Sequence, residues 1–185
     1  MKAAEQEEAM ETLLSQLPAK DAASGLLNVV VDSPKGSRNK YKYEEASGLW
    51  RLSKVLPLGM TFPFDFGFVP STRGQDGDPL DVLILLDEPA FPGCVVPARL
   101  IGVLEAEQTD DARTVRNDRL LAVLETRYNP VPVRSLDELS PQTLAEVEYF
   151  FIAYNGMQGR QFRILGAQGP DRAQEVLDAA LNKPE

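Results

Sequence analysis

Gly74-Gln75-Asp76-Gly77-Asp78-Pro79-Leu80-Asp81-Val82-Leu83 sets three carboxylates within six positions, directly ahead of the apolar run Val82-Leu83-Ile84-Leu85-Leu86. Gly77 can adopt positive φ and Pro79 fixes its own φ, so the stretch reads as a bent loop feeding a strand. If the backbone is extended, Asp76 and Asp78 point the same way about 7 Å apart, from a rise of roughly 3.3 Å per residue. The proline bend then lets Asp81 turn back toward them. Carboxylates crowded at the edge of a buried strand repel one another unless a cation pairs with them. Mg²⁺ selects such hard oxygen ligands and completes its octahedron with water and phosphate. An Asx-type turn entering a strand uses the same residues, so the loop alone leaves both readings open. It is not an EF-hand, because the Glu required at loop position 12 is missing.

On either side of this loop the pattern is one of short β-branched and aromatic runs parted by Gly, Pro, Asp and Asn. Strands are expected at Leu27–Val31, Tyr41–Glu44, Leu49–Val55, Val82–Leu86, Val95–Glu105 and Leu120–Leu124, a spacing that suggests a small twisted barrel rather than βαβ units. Residues 3–17 carry Met10, Leu13, Leu14 and Leu17 on one side of a polar helical pattern that Pro18 closes, and 20–25 read as a linker. Toward the other end, Ser140-Pro141 supplies an N-cap hydroxyl and a proline at the first helical position. Leu144, Val147, Phe151 and Tyr154 follow as one apolar stripe, ended by Gly156 and Gly159. A last helix over Asp171–Asn182 turns Val176, Leu177, Ala180 and Leu181 inward. The fold class is therefore α+β, mainly β, with helices packed on a barrel. The domain division expected is a helical extension over 1–25 and a single domain over 26–185.

Composition narrows the chemistry further. The 185 residues include 28 Asp plus Glu against 19 Lys plus Arg, one cysteine and no histidine, for a formal charge of -9. Without imidazole there is no Ser-His-Asp or Cys-His site, no His-ligated zinc or haem, and no histidine base. The single thiol, Cys94, cannot close an intrachain disulfide and reads as a small packing residue. The acidic balance argues against nucleic acid as a partner, since phosphate backbones are bound by basic stripes. No apolar run approaches a membrane span, and the first residues lack a signal-peptide core, so no membrane partner and a cytoplasmic location are expected. The alternating Phe62, Phe64, Phe66 and Phe68 read as core or pocket wall, and Trp50 as a packing residue.

The run Asp76-Gly77-Asp78-Pro79-Leu80-Asp81-Val82 resembles the signature of soluble family I inorganic pyrophosphatases, Asp-x-Asp-Pro-x-Asp followed by an apolar residue. Pro34-Lys35-Gly36-Ser37-Arg38-Asn39-Lys40-Tyr41 is similar to the segment carrying that family's phosphate-binding lysine. Phe62-Pro63-Phe64-Asp65-Phe66-Gly67-Phe68-Val69-Pro70 is similar to its aromatic Tyr-Gly segment. Phe91-Pro92-Gly93-Cys94, Gly102-Val103-Leu104 and Phe150-Phe151-x-x-Tyr154 follow in the family's order. The resemblance spans about 27–181. It implies a five-stranded barrel of OB type that hydrolyses pyrophosphate to two phosphates with several Mg²⁺ ions, and a homo-oligomer, commonly a hexamer in bacterial relatives. By the same resemblance Asp76, Asp81 and a third acid would hold metal, and Asp78 would be the base that orients or deprotonates the attacking water. Lys40, Arg119 and Tyr154 would grip phosphate oxygens, and Asp32 sits where the family keeps a metal-site Glu.

Several positions depart from the family pattern. Lys42 stands at a metal-site Glu, Lys54 at a phosphate-binding Arg, Phe66 at an active-site Tyr and Asn155 at a Lys. Lys54 keeps the charge but loses the bidentate fork. In the 105–118 segment Arg119 takes the place of the family's lysine. Strict register then sets Asn117 at its second metal aspartate, with Asp118 one position away, while Glu107, Asp110 or Asp111 could stand for the first. Candidate metal ligands are thus Asp76, Asp78, Asp81, Asp32, Asp118 and Glu107, and candidate phosphate ligands are Lys40, Lys42, Lys54, Arg119 and Tyr154. The lost acids and the gained lysine predict fewer bound Mg²⁺ ions than is usual for the family. A non-catalytic phosphate- or partner-binding module, or a hydrolase for another diphosphate, is the alternative that these departures leave.

Overall fold

The computed structural model describes Leu14 and residues 16–44, 47–126 and 133–181. Nine strands are described: β1 Leu27–Ser33, β2 Asn39–Glu44, β3 Leu49–Val55, β4 Asp65–Phe68, β5 Asp81–Leu85, β6 Val95–Asp110, β7 Arg113–Arg116, β8 Arg119–Leu124 and β9 Gln161–Gln168. Two helices accompany them, α1 Pro141–Gly156 and α2 Pro170–Leu181.

Five strands pair in the order β1-β4-β5-β8-β6, and β6 pairs back on β1, so the sheet closes into a ring. Every pairing in the ring is antiparallel except β5 with β8. This is the small five-stranded barrel that the resemblance implied. The 16 residues of β6 are too long for the ring alone, so its far half leaves the barrel and carries β7 on one edge and β9 on the other. The β2–β3 hairpin forms a separate two-stranded sheet.

Alternation along the strands builds two apolar clusters. Val82 and Ile84 of β5 face one, with Val29, Val31, Leu120 and Ala122, and α2 adds Ala173, Leu177 and Ala180. Leu83 faces the other, with Leu121, Leu104 and Phe66, onto which α1 lays Val147, Phe150, Phe151 and Tyr154. Burying side chains of this size contributes roughly 1.5–3 kcal/mol each before the entropic cost.

The six expected strands are all present, with ends shifted by a few residues, and β3 has the bounds expected of it. Three strands were not foreseen: β4 within the aromatic run, β7, and β9 between the helices. The tail is consequently not all helical. α1 begins as expected, with the Ser140 hydroxyl accepting from the Thr143 N–H at 3.0 Å and Pro141 in the first turn. Its buried stripe includes Phe150, while Leu144 is only half-buried. In α2, Leu181 is exposed rather than inward. Cys94 is half-buried against the first cluster. Trp50 packs on Tyr43 with ring centroids 5.5 Å apart. The helix expected over 3–17 lies outside the described residues apart from Leu14, Gln16 and Leu17, where a turn links the Leu17 N–H to the Leu14 carbonyl. Among the described residues no helix is long and apolar enough to cross a membrane.

Candidate active site

Asp81 opens β5 and Arg119 opens β8. Because these strands run parallel with Val82 beside Leu120, the two side chains emerge together at one end of the barrel, and Arg119 Nη1 donates to Asp81 Oδ2. The same nitrogen also donates to Asn117 Oδ1 at 2.5 Å. Arg119 is 4% exposed, its guanidinium lies 5.3 and 5.4 Å from the ring centres of Phe151 and Phe162, and its Nε has no partner. A cation held this deep is tolerable only because Asp81 faces it. Asn117 in turn donates from Nδ2 to Gln108 Oε1 at 3.0 Å.

A second ion pair lies alongside. Asp32, near the end of β1, receives Lys40 Nζ at 3.2 Å and the Ser33 hydroxyl. Burial pushes the Asp32 carboxyl up, as does the neighbouring Asp81, against the pull of Lys40. Burial works against the charge on Lys40, but Asp32, Asp81 and Tyr154 outweigh it and hold its pKa above the usual lysine value. Its ammonium also sits 4.3 Å from the centre of the Phe66 ring, an attraction that needs no hydroxyl. Tyr154 is buried against Phe62 and Phe150.

The acidic loop closes over this end of the barrel. The Asp78 N–H donates to Asp76 Oδ1 at 3.2 Å, an Asx turn, and the Gly74 N–H donates to the Asp78 carbonyl at 2.7 Å. Burial raises the Asp76 pKa, and the Asp81 and Asp78 carboxylates add to the rise. The loop is thus an Asx turn, and the carboxylates around Asp76 repel one another. Asp76, Asp81 and Asp118 line one cavity of about 320 Å³ between the loop and α2, together with Arg116, Asn117 and Arg172. Among the described residues no three acids converge closely enough to enclose a bare ion. The cavity instead suits a hydrated one, which is how Mg²⁺ is usually held, through one or two carboxylates and several waters.

A family model described as inorganic pyrophosphatase matches residues 29–185. An inorganic pyrophosphatase from Nostoc sp. is 36% identical over 168 residues, covering 91% of this chain and 96% of that protein. One from Synechocystis sp. is 37% identical over the same length. The crystal structure of inorganic pyrophosphatase from Thermus thermophilus superposes with a TM-score of 0.82 at 30% identity, over 92% of this chain and 97% of that one. The chain belongs to the inorganic pyrophosphatase family.

Within this pyrophosphatase site the expected residues fall into two groups. Asp76, Asp81, Asp32, Lys40, Arg119 and Tyr154 come together at one end of the barrel, on the loop, β1, β2, β5, β8 and α1, and Asp78 is exposed on the loop beside Asp76. Lys54 lies beside Lys40 across the hairpin and donates to Gln158 Oε1. Lys42 is exposed farther along the same strand. The remaining two candidates are each paired with an arginine, Asp118 on the wall of the same cavity and Glu107 away from it. The Asp118 carboxylate accepts the Ala106 N–H at 2.9 Å and pairs with Arg116 at 3.0 Å. Glu107 pairs with Arg163 at 2.5 Å across β9. Asn155 is buried and donates back to the Phe151 carbonyl of its own helix.

Two arginines that the sequence reading passed over act on this wall. Arg116 bridges Glu105 at 2.9 Å and Asp118, and Arg172 of α2 reaches Glu105 at 3.0 Å. Burial favours the neutral form of Glu105, but the hydrogen bonds from Arg172 and Arg116 outweigh it and lower its pKa. The signal available in the sequence was Arg116 alternating with acids in Arg116-Asn117-Asp118 opposite Glu105 and Glu107, which reads as pairing only once β6 and β7 are known to be neighbours.

Proposed function

We propose that this chain hydrolyses pyrophosphate to two phosphates with Mg²⁺. The observation that carries the reading is the meeting of the Asp76–Asp78–Asp81 loop with two ion-paired cations, the buried Arg119 and the half-buried Lys40, at one end of a pyrophosphatase barrel. Asp76 and Asp81 would hold Mg²⁺, with Asp32 as a further acid, and the ion when bound would supply charge neutralisation and a water of lowered pKa. Asp78, exposed on the outer limb of the Asx turn, would be the base that orients or deprotonates the attacking water. Arg119, Lys40 and Lys54 fix phosphate oxygens by charge, and Tyr154 backs them from α1. Phosphoryl transfer asks for in-line positioning and electrostatic stabilisation rather than for covalent catalysis, so a site without histidine is sufficient. The ring of Phe66 leaves no hydroxyl beside Lys40, and Asn155 offers no charge, so substrate contact on that side falls to the lysines of the hairpin.

The chain acts as a homo-oligomer in the cytoplasm on this reading, which sedimentation and fractionation would check. The activity is tested by phosphate release from pyrophosphate with Mg²⁺. The Asp78→Asn variant is expected to lose activity about 10²-fold or more, in line with removal of a general base. An active wild type that the substitution leaves unchanged would remove Asp78 from its role, and an inactive wild type would remove the activity.

A further inference from the structure

Residues 17–26, which the sequence reads as a helix end and a linker, are stitched to the barrel as a brace. The Asn28 N–H donates to the Ala19 carbonyl at 2.9 Å, and the Asn28 side-chain amide donates to the Pro18 carbonyl at 2.8 Å. Lys20 forms an antiparallel bridge with Leu27, and the Asp21 N–H donates to the Leu26 carbonyl at 2.9 Å, so the segment folds back along β1. Ala19 is buried with the first apolar cluster. Lys20 Nζ donates to Gln174 Oε1 of α2 at 3.0 Å. From this brace the Leu17 carbonyl accepts the Ser71 hydroxyl at 2.9 Å.

Ser71 heads the limb that runs into the acidic loop. Its φ of 53° lies in the left-handed region, which a residue with a Cβ adopts at a cost. The next three residues are each tied as well. The Thr72 hydroxyl donates to the Val69 carbonyl at 2.6 Å and accepts the Leu80 N–H at 3.0 Å. The Arg73 N–H donates to the Ala180 carbonyl of α2 at 3.1 Å, and the Gly74 N–H to the Asp78 carbonyl at 2.7 Å. Thr72 and Gly74 thus close the loop on itself, whereas Ser71 and Arg73 fasten it to the brace and to α2. We propose that residues 17–26, through the Leu17–Ser71 contact, are a positioning element for the metal-binding loop, holding Asp76 in place relative to Asp81 before an ion arrives. Carboxylates that repel one another tend to push such a loop open, and a donor set ordered in advance spares the ion the entropic cost of ordering it. The identity of the ion rests on the pyrophosphatase reading; the bracing of the loop does not.

The test uses the full chain. Ser71→Gly removes the hydroxyl but still allows the positive φ. It is expected to weaken Mg²⁺ binding in calorimetry about 5-fold, the scale of one ordinary hydrogen bond. Amide hydrogen exchange at Gly74 and Asp78 should quicken by a similar factor, while exchange in β5 and β8 stays as in the wild type. Asn28→Ala, which frees the brace from β1 without touching the loop, should act in the same direction by about 2-fold, since it loosens the contact indirectly. Ser71→Asn, which tolerates the same φ and offers an amide donor to Leu17, should bind Mg²⁺ as the wild type does. In hydrolysis of pyrophosphate, Ser71→Gly should need about 5-fold more Mg²⁺ for half-maximal rate with kcat at saturating Mg²⁺ little changed, a split that a mere loss of stability does not produce. Unchanged Mg²⁺ affinity and loop exchange in Ser71→Gly, an effect there that Asn28→Ala does not share, or faster exchange throughout the barrel would overturn the proposal. A wild type that releases no phosphate would remove the pyrophosphatase reading, and the exchange rates would still decide the brace.

Discussion

At the scale of single residues the site is defined as much by amides and arginines as by its acids. Asn117 gives its oxygen to Arg119 and its nitrogen to Gln108, so both polar ends are spent inside the protein and neither carries charge toward Asp81. An aspartate at this position would put a second carboxylate beside Arg119 and a further hard donor at the edge of the Asp76–Asp81 cavity. Asn117→Asp is therefore expected to bind Mg²⁺ or Mn²⁺ about 10-fold more tightly or with one more ion per chain, measured by calorimetry and by Mn²⁺ spectroscopy. Unchanged stoichiometry and affinity would show that Arg119 absorbs the new charge. The Asp-x-Asp-Pro-x-Asp loop was legible from sequence because its spacing is local. The fates of Asp118 and Glu107 were not, since they depend on which side of a strand pair each faces. One residue of register separates Asn117, turned to Arg119, from Asp118, turned to Arg116.

Among the elements, those that declared themselves did so by pattern. β5 is an unbroken apolar run after a proline bend, and α1 carries its own cap and stripe. β9 hid its alternation because Phe162-Arg163-Ile164 is followed by the exposed Leu165 and by Gly166, which leave the pattern only three residues long, and it is a strand chiefly because β6 offers it an edge. β7 is short and polar and exists for the same reason on the opposite edge. The closure of the ring depends on how closely β1 and β4 approach. A Cβ at Gly67 would lie 2.1 Å from the Val30 carbonyl oxygen, a backbone atom that cannot step aside. Gly67→Ala should cost about 3 kcal/mol or more, the upper end of overpacking effects, read as a lowered denaturation midpoint. Gly156→Ala, at the end of α1 with nothing within 4 Å of its Cβ, should be neutral or stabilising by a few tenths of a kcal/mol. Equal effects at the two sites would mean that the β1–β4 contact does not govern closure.

Over the whole molecule, charge is sorted rather than spread. A net -9 coexists with a cationic hairpin face, a loop where burial, and then the Asp81 and Asp78 carboxylates, raise the Asp76 pKa, and a wall where Arg116, Arg172 and Arg163 neutralise Glu105, Asp118 and Glu107. The unneutralised negative charge near the barrel end is thus confined to the loop, and that is where a divalent cation stabilises the folded state most. Binding to the native state alone adds RT ln(1 + [L]/Kd), about 1.4 kcal/mol at a tenfold excess over Kd, which for a chain of this size is about 3–6 °C in Tm. Saturating Mg²⁺ should raise Tm by that amount above an NaCl control of matched ionic strength, and the increment should disappear in Asp76→Asn/Asp81→Asn. That double variant should itself melt below the metal-free wild type, because Asp81→Asn leaves the buried Arg119 guanidinium without its counter-charge, so the Mg²⁺ increment is read against the variant's own metal-free Tm. An equal rise with NaCl, or a rise that survives in the double variant, would place the stabilising cation elsewhere on the acidic surface.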